Sequence, residues 1–399
     1  MHNVRKVTDD LYWVGASDRR LALFENIHPL PEGVSYNAYV LTDEKTVLID
    51  TADWSVGKQF IENVEYVLAG KPLDVLIVNH FEPDHAATLG EILLRYPDVT
   101  VVTTAKGKAF AEQFGYDIKN ADIVRNGDTR SFGAHEFTFV AAPMVHWPEV
   151  MVSFDHTNGV LFSADAFGSF KALDGKLFDD EVDYDRDWID EARRYYANIV
   201  GKYGKNVTAL LKKAAPLDIK MICPLHGLIW RSGIDYILEK HQKWASYTPE
   251  EQGVVIAYAS MYGDTENAAD ILAVKLAEAG MKNVKVYDVS KTDRSYIIAD
   301  MFKYSHFVLA SVTYNLGIFP TMHDLISDMK ALNVSNRTAA IIENGTWAVK
   351  SGTLMQAELE SMKDITLLNE KVSLLSSVKE DGEADLSTLA DAIAASVNA

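Results

Sequence analysis

The pattern of apolar and polar positions changes character near residue 250. Between Leu11 and about Leu228, short apolar runs with strand-like alternation come in bunches, at 37–42, 46–50, 74–79, 100–104, 136–145, 160–164 and 218–225. Helical periodicity separates some of them, at 56–69 and 86–96, and a longer helical stretch runs from Trp188 to Ala214. Bunched strands broken by helices predict packed sheets with helices on the outside. The stretch 243–252, KWASYTPEEQ, is polar, contains Pro249 and reads as a linker. Beyond it the alternation is regular. Strands are expected at 253–259, 284–289, 306–311 and 338–343, with helices at 267–279 and 295–302, a helical pattern after each of the last two strands, and a closing amphipathic helix at 386–395. Such β–α alternation predicts a parallel sheet with helices on both faces, and about 150 residues suits five strands. The expected domains are therefore 1–248 and 249–399.

Composition narrows the class. Hydrophobic residues make up 48% and charged residues 24%, the balance of a globular protein. The 57 acidic and 38 basic residues give a net charge of −19, which argues against nucleic acid or an anionic membrane as a partner. No apolar run approaches the roughly 18 residues that span a bilayer. Asp9 and Asp10 stand where a signal peptide would need an apolar core, and a single cysteine, Cys223, excludes an internal disulfide. A cytoplasmic location is expected, with Cys223 as inert core.

The strongest chemical signal is NHFEPDHAATL, which offers His80, Glu82, Asp84 and His85 where an apolar run ends and a helix begins. Alone it fits a metal-binding loop or a solvated loop with Asp84 as a helix cap. Three further residues share the setting: His146 follows FTFVAAPMV, Asp165 follows VLFSA and His226 follows IKMICPL. Ligands at the ends of several strands would cluster at one edge of the sheets. His2, His28, His135, His156, His241, His306 and His323 lack this setting. Two divalent ions carry +4, Glu82, Asp84 and Asp165 supply −3, and one bridging hydroxide would bring the site to neutrality. Nitrogen and carboxylate ligands suit iron or manganese and also permit zinc.

The second half carries a different constellation. After the strand VVIAYA comes Ser260-Met261-Tyr262-Gly263-Asp264-Thr265, a hydroxyl- and glycine-bearing turn into a helix that could cradle a phosphate. No lysine follows the glycine, so this is not an ATP-type loop. Thr313-Tyr314-Asn315-Leu316-Gly317 and Asn344-Gly345-Thr346-Trp347-Ala348 lie at two further strand ends, where such a sheet binds ligand.

The order H-x-E-x-D-H, His146, Asp165, His226 resembles the metallo-β-lactamase fold in its flavodiiron form, and the three later loops resemble those of flavodoxin. The resemblance covers nearly the whole chain. It implies an N-terminal metallo-β-lactamase-like αββα sandwich (α+β) followed by a flavodoxin-like, five-stranded, doubly wound parallel sheet (α/β). Hydrolases of the first fold usually have histidine where this chain has Glu82; the exchange marks a di-iron centre. By the same resemblance His80, Glu82 and His146 would bind one iron, Asp84, His85 and His226 the other, and Asp165 would bridge them. FMN would sit on the three loops. Trp147, Tyr195 and Tyr196 match segments near the di-iron pocket, although packing alone accounts for them.

The implied activity is reduction of oxygen to water or coupling of nitric oxide to N2O. The chain resembles the minimal two-domain class, without an appended rubredoxin or flavin reductase domain, so rubredoxin or a reduced deazaflavin would supply electrons. A domain of about 250 residues has a radius of gyration near 18 Å, so the resemblance implies a head-to-tail homodimer, or a dimer of dimers, to bring flavin and iron together. Arg193, Arg194, Lys202, Lys205, Lys212 and Lys213 form a candidate basic docking face, or a solvated helix face. The alternative functions are a binuclear zinc hydrolase fused to a flavodoxin-like module, and a plain electron carrier.

Overall fold

The computed structural model describes residues 1–398. The chain divides into two compact units, one of residues 1–196 and 203–242, the other of residues 197–202 and from 243 onward.

The first unit is a two-sheet sandwich. One sheet orders its strands Arg5–Lys6, Leu11–Trp13, Tyr39–Thr42, Thr46–Ile49, Val75–Ile77, Thr100–Thr104 and Ala121–Val124; the other runs Thr129–Ser131, Glu136–Ala141, Met151–Asp155, Val160–Phe162 and Met221–Cys223. Alternate residues explain the packing. Val47 and Ile49 join Phe137, Phe139, Phe162 and Cys223 in one core between the sheets. Leu48, on the opposite face, is equally buried, which requires an outer layer. Helix Gly57–Leu68 belongs to that layer, with Phe60, Val64 and Leu68 buried along one stripe. Truncating Phe60 to alanine is expected to destabilise the unit by about 3–5 kcal/mol.

Three expectations need correction here. The stretch from Trp188 to Ala214 is not one helix: Ile189–Tyr195 is followed by a π-turn at Tyr196–Val200, a tight turn at Gly201–Tyr203 and a second helix at Gly204–Ala214. Arg193 and Arg194 are not on a docking face, being only 2% and 1% exposed. Arg194 pairs with Glu191 at 2.6 Å, donates to the Pro29 carbonyl at 3.0 Å and lies 4.4 Å over the Phe170 ring. Lys202, Lys205, Lys212 and Lys213 are exposed. Nor is 243–252 a linker throughout. Helix Ile234–Ala245 reaches into it, Trp244 is fully buried and its indole donates to Glu250 at 2.7 Å, and the next strand starts at Glu251. The spacing Ile234, Ile237, His241, Trp244 is the helical signal that the polar composition hid.

The second unit is a five-stranded parallel sheet ordered Val284–Asp288, Glu251–Ala259, Tyr304–Tyr314, Arg337–Asn344, Ile365–Leu374, with helices packed against it. In chain order the strands run 2-1-3-4-5, so the order reverses beside the first strand and leaves a crevice at the carboxyl ends of Glu251–Ala259 and Tyr304–Tyr314. The fifth strand, not located in the sequence reading, alternates exposed and half-buried positions because it is an edge. A short strand, Gly317–Ile318, folds back on Tyr304–Tyr314 through Asn315 and Leu316, whose φ values of 50° and 61° are those of a hairpin turn. No helix among the described residues is long and apolar enough to cross a membrane.

Candidate metal and flavin sites

The sandwich brings all seven sequence-selected metal ligands together. Strand Val75–Ile77 ends three residues before His80; Asp165 and His226 are each the third residue past the strands Val160–Phe162 and Met221–Cys223; His146 lies in the loop after Glu136–Ala141. His80, Glu82, His146 and Asp165 form one group whose ligand atoms all lie within 4.8 Å of one another, and Asp84, His85 and His226 form a second. Glu82 Oε2 is 3.2 Å from His80 Nε2 and 2.9 Å from His146 Nε2. Asp84 Oδ2 is 3.2 Å from His85 Nε2 and 3.3 Å from His226 Nε2. Asp165 divides its carboxylate. Its Oδ2 lies 3.2 Å from both His80 and His146, and its Oδ1 lies 3.3 Å from His85 and 3.7 Å from His226. The loops carry non-glycine residues in the left-handed region at Met144, Ala164 and Phe167, with φ of 66°, 50° and 67°, a strain that clusters where side chains must converge.

The donor set fits cations better than it fits itself. Both carboxylate oxygens of Asp84 and both of Asp165 are buried without a hydrogen bond, an arrangement that a cation explains. The Nε2 atoms of His85 and His226 face each other at 3.0 Å. His226 Nδ1 is 2.7 Å from the Ser35 carbonyl and must donate to it, which leaves its Nε2 as a bare lone pair. Burial works against a charged His146, but Asp165 and Glu82 outweigh it and hold the imidazole at about 10. His80 is likewise raised, against its burial, by Asp165, Glu149 and Glu82. The pocket is thus built to collect positive charge.

Sequence reasoning missed the groups that orient these ligands. Glu149 Oε1 accepts from His80 Nδ1 at 2.7 Å and from the Phe81 amide at 3.0 Å, entirely buried. It fixes the tautomer that turns His80 Nε2 toward the cluster. The signal was present in the sequence as a carboxylate three residues after His146. Glu149→Ala is expected to weaken metal retention about 10–100-fold, measured by metal analysis after graded chelator dialysis; unchanged retention would assign Glu149 to packing alone.

The three loops of the second unit lie at the carboxyl ends of its strands. Gly263, at φ 103°, caps helix Asp264–Glu278, and its amide donates to Ser260 Oγ at 3.0 Å, while Thr265 is buried in the first turn. Gly345 turns so tightly that a Cβ there would stand 1.9 Å from the Ala348 carbonyl. Asn344 Oδ1 accepts from the amides of Gly345 and Ser376, and Thr346 Oγ1 lies 2.9 Å from Ser376 Oγ. Thr313 Oγ1 accepts from the amides of Lys350 and Ser351, fastening its loop to the next helix. Tyr262 is 94% exposed, Trp347 77%, Leu316 54%, Met261 43% and Tyr314 41%. Large apolar side chains held open around a helix N-terminus fit a flat ring that carries a phosphate.

Comparison with known proteins agrees on both halves. Residues 34–227 match the ODP family beta lactamase and residues 256–359 match flavodoxin. The anaerobic nitric oxide reductase flavorubredoxin of Escherichia coli is 31% identical over 348 residues, 86% of this chain and 72% of that protein. The chain belongs to the flavodiiron proteins. An uncharacterized protein of Methanocaldococcus jannaschii is also 31% identical, over 91% of this chain and 89% of that one. Among solved structures, the rubredoxin oxygen:oxidoreductase of Desulfovibrio gigas superposes with a TM-score of 0.91 at 28% identity, covering 99% of this chain and 98% of that one. The cofactors are those of a flavodiiron protein, FMN and a di-iron centre, and the donor sets above fit both.

Three aromatic residues expected near this flavodiiron pocket fall differently. The Trp147 ring stands 5.5 Å from that of His80 and 6.2 Å from that of His146. With Phe110, Phe114 and Met144 it lines an open cavity of about 370 Å3 that has His146 on its wall. Tyr195 lies 5.3 Å from His226, ring to ring, and its buried hydroxyl has no hydrogen bond. Tyr196 packs against His241, ring to ring at 5.3 Å.

His241 makes a separate prediction. Its Nε2 accepts from the Phe167 amide at 3.2 Å and its Nδ1 donates to the Ile237 carbonyl at 3.0 Å, so the neutral ring is locked in place. Burial pushes it down to about 3. Below the ordinary value of 6.5 the unfolded chain takes a proton that the folded chain refuses, so stability is lost as pH falls from 6.5 toward 3. Between pH 6.5 and 4.5 the contribution is roughly 2 kcal/mol. Urea unfolding of wild type and His241→Gln at both pH values checks this; an equal acid loss in the two proteins would contradict it.

Proposed function

We propose that this flavodiiron protein is a cytoplasmic oxidoreductase that reduces oxygen to water, nitric oxide to N2O, or both. Its electrons come from an external donor, rubredoxin or a reduced deazaflavin. Its working unit is a head-to-tail homodimer or a dimer of dimers. The observation that carries the reading is Asp165, whose two oxygens face two separate ligand groups next to Glu82. His80, Glu82 and His146 would hold one iron, Asp84, His85 and His226 the other, with Asp165 between; two irons there and FMN on the three loops would supply the one-electron chemistry that a hydrolase lacks.

The chain's own residues define how a gas is admitted and held. Phe110, Phe114, Met144 and Trp147 give the cavity beside His146 an apolar lining, which admits a small neutral gas more readily than a hydrated ion. Burial and the nearby Asp165, Asp84 and Glu82 raise Tyr195 well above its ordinary value, so the phenol keeps its proton at working pH. Its unpaired Oη can then donate a hydrogen bond into the pocket. Glu149 and the Ser35 carbonyl hold His80 and His226 in fixed orientation while the site turns over.

Anaerobic assays with reduced rubredoxin, comparing consumption of oxygen and of nitric oxide, test the activity. Electron-dependent consumption of at least one gas is expected. Failure to consume either, with hydrolysis of an ester or thioester instead, would favour the zinc hydrolase. Tyr195→Phe is expected to lower turnover about 10-fold or more, the range for loss of a positioned proton-bearing group, without changing iron content; unchanged turnover would return Tyr195 to packing.

A further inference from the structure

A cleft of about 590 Å3 opens in the sandwich unit and shares no lining residue with either metal-ligand group. Five cationic side chains line it, Arg5, Arg19, Arg20, Lys58 and Lys176, against one carboxylate, Glu62. On a chain with net charge −19 such a concentration of one sign is not a sample of the average surface. Some of that charge is internally matched: Arg5 lies 2.9 Å from Glu181, and Lys58 lies 3.8 Å from Glu62. The other three differ. Arg19 is anchored by the Leu173 carbonyl, and Arg20 by the Ser55 carbonyl at 2.8 Å with Asp18 at 4.0 Å. One backbone carbonyl fixes the direction of each guanidinium and leaves most of its fork of donors free. Lys176 has no ion pair within 4.0 Å among the described residues.

The floor has a second character. Trp13, Leu173 and Leu177 line it and are themselves buried. The volume falls within the range of small-molecule sites, about 300–1,000 Å3. Planar guanidinium forks match phosphate oxygens two at a time, and an apolar floor accepts a ring or chain. We propose that this cleft binds a small organic anion bearing one or more phosphate groups, its phosphates on Arg19, Arg20 and Lys176 and its body on the apolar floor.

Calorimetric titration of the iron- and flavin-loaded protein tests this, with inorganic pyrophosphate and adenosine diphosphate as probes at one fixed ionic strength. Loading keeps the probes from the flavin cradle. One site per chain is expected, with the nucleotide bound at least tenfold tighter than pyrophosphate. Arg19→Ala and Lys176→Glu should each weaken it about tenfold or more while gas consumption stays unchanged. Lys176 has no ion pair to lose, so its variant reports the site rather than a folding defect. Absence of binding to the wild type would overturn the proposal, as would equal binding in the variants. Equal affinity for the two probes would refute the role of the apolar floor. Variants that change the oligomeric state without any probe bound would assign the cleft to a subunit contact instead.

Discussion

Asp165→Asn should lower bound iron from two ions per chain to one or none and reduce gas consumption by at least about a hundredfold. The amide keeps the shape of the carboxylate but replaces one oxygen with an N–H donor. Asp165 Oδ2 serves the His80 and His146 side and Oδ1 the His85 and His226 side, so whichever side receives the nitrogen loses a ligand and gains repulsion toward a cation. Half the site cannot be spared, because among the described residues only Asp165 pairs with histidines of both groups. Iron analysis and an oxygen or nitric oxide electrode read the two effects separately. Full iron content with normal turnover would remove Asp165 from the centre. Loss at Asp165→Asn also exceeds that expected at Glu149, which acts on one ligand only.

The second large effect lies in the flavodoxin-like unit and concerns stability. Arg337 is 4% exposed and donates to five backbone carbonyls, those of Met301, Phe302, Ser335, Asn336 and Tyr247, at 2.5–3.0 Å. Burial lowers it to about 10, still protonated at neutral pH. Arg337→Met removes the charge but leaves several buried carbonyls without a donor. Each such group costs about 1–3 kcal/mol, so the variant should lose on the order of 4 kcal/mol. For a unit of this size that is a fall of roughly 10 °C in the midpoint of unfolding. Arg337→Lys, with three donors in place of five, should fall between. Scanning calorimetry of the flavin-loaded protein decides; a methionine variant within about 2 °C of wild type would show that the carbonyls find water instead.

Much of this architecture was legible in the chain. Where both faces of a strand are buried, as in Thr46–Ile49 and the middle of Thr100–Thr104, a run of apolar and β-branched residues marks it, and the observed bounds fall within a residue of those expected. The seven candidate metal ligands could be picked out because they follow apolar runs, and the structure gathers them into two adjoining groups. What escaped was of three physical kinds. The edge strand Ile365–Leu374 has one hydrogen-bonded neighbour and a polar middle, Asn369-Glu370-Lys371, so its periodicity is weak. Arg193 and Arg194 look like surface charges in sequence, and only tertiary partners such as Phe170 and the Pro29 carbonyl reveal that they are buried. Glu149 and Ser35 act through a neighbour's ring nitrogen, a relation spanning 69 and 191 residues that no local motif encodes. The same holds for the break at Tyr196–Val200, where the sequence Tyr-Ala-Asn-Ile-Val has neither glycine nor proline to mark it and the π-turn reflects context.

The most direct test is the metal and flavin content of protein purified without oxygen, followed in the same sample by gas uptake on addition of reduced rubredoxin. The account predicts about two irons and one FMN per chain, with oxygen or nitric oxide consumed. Two zincs, no flavin and no gas uptake would contradict it.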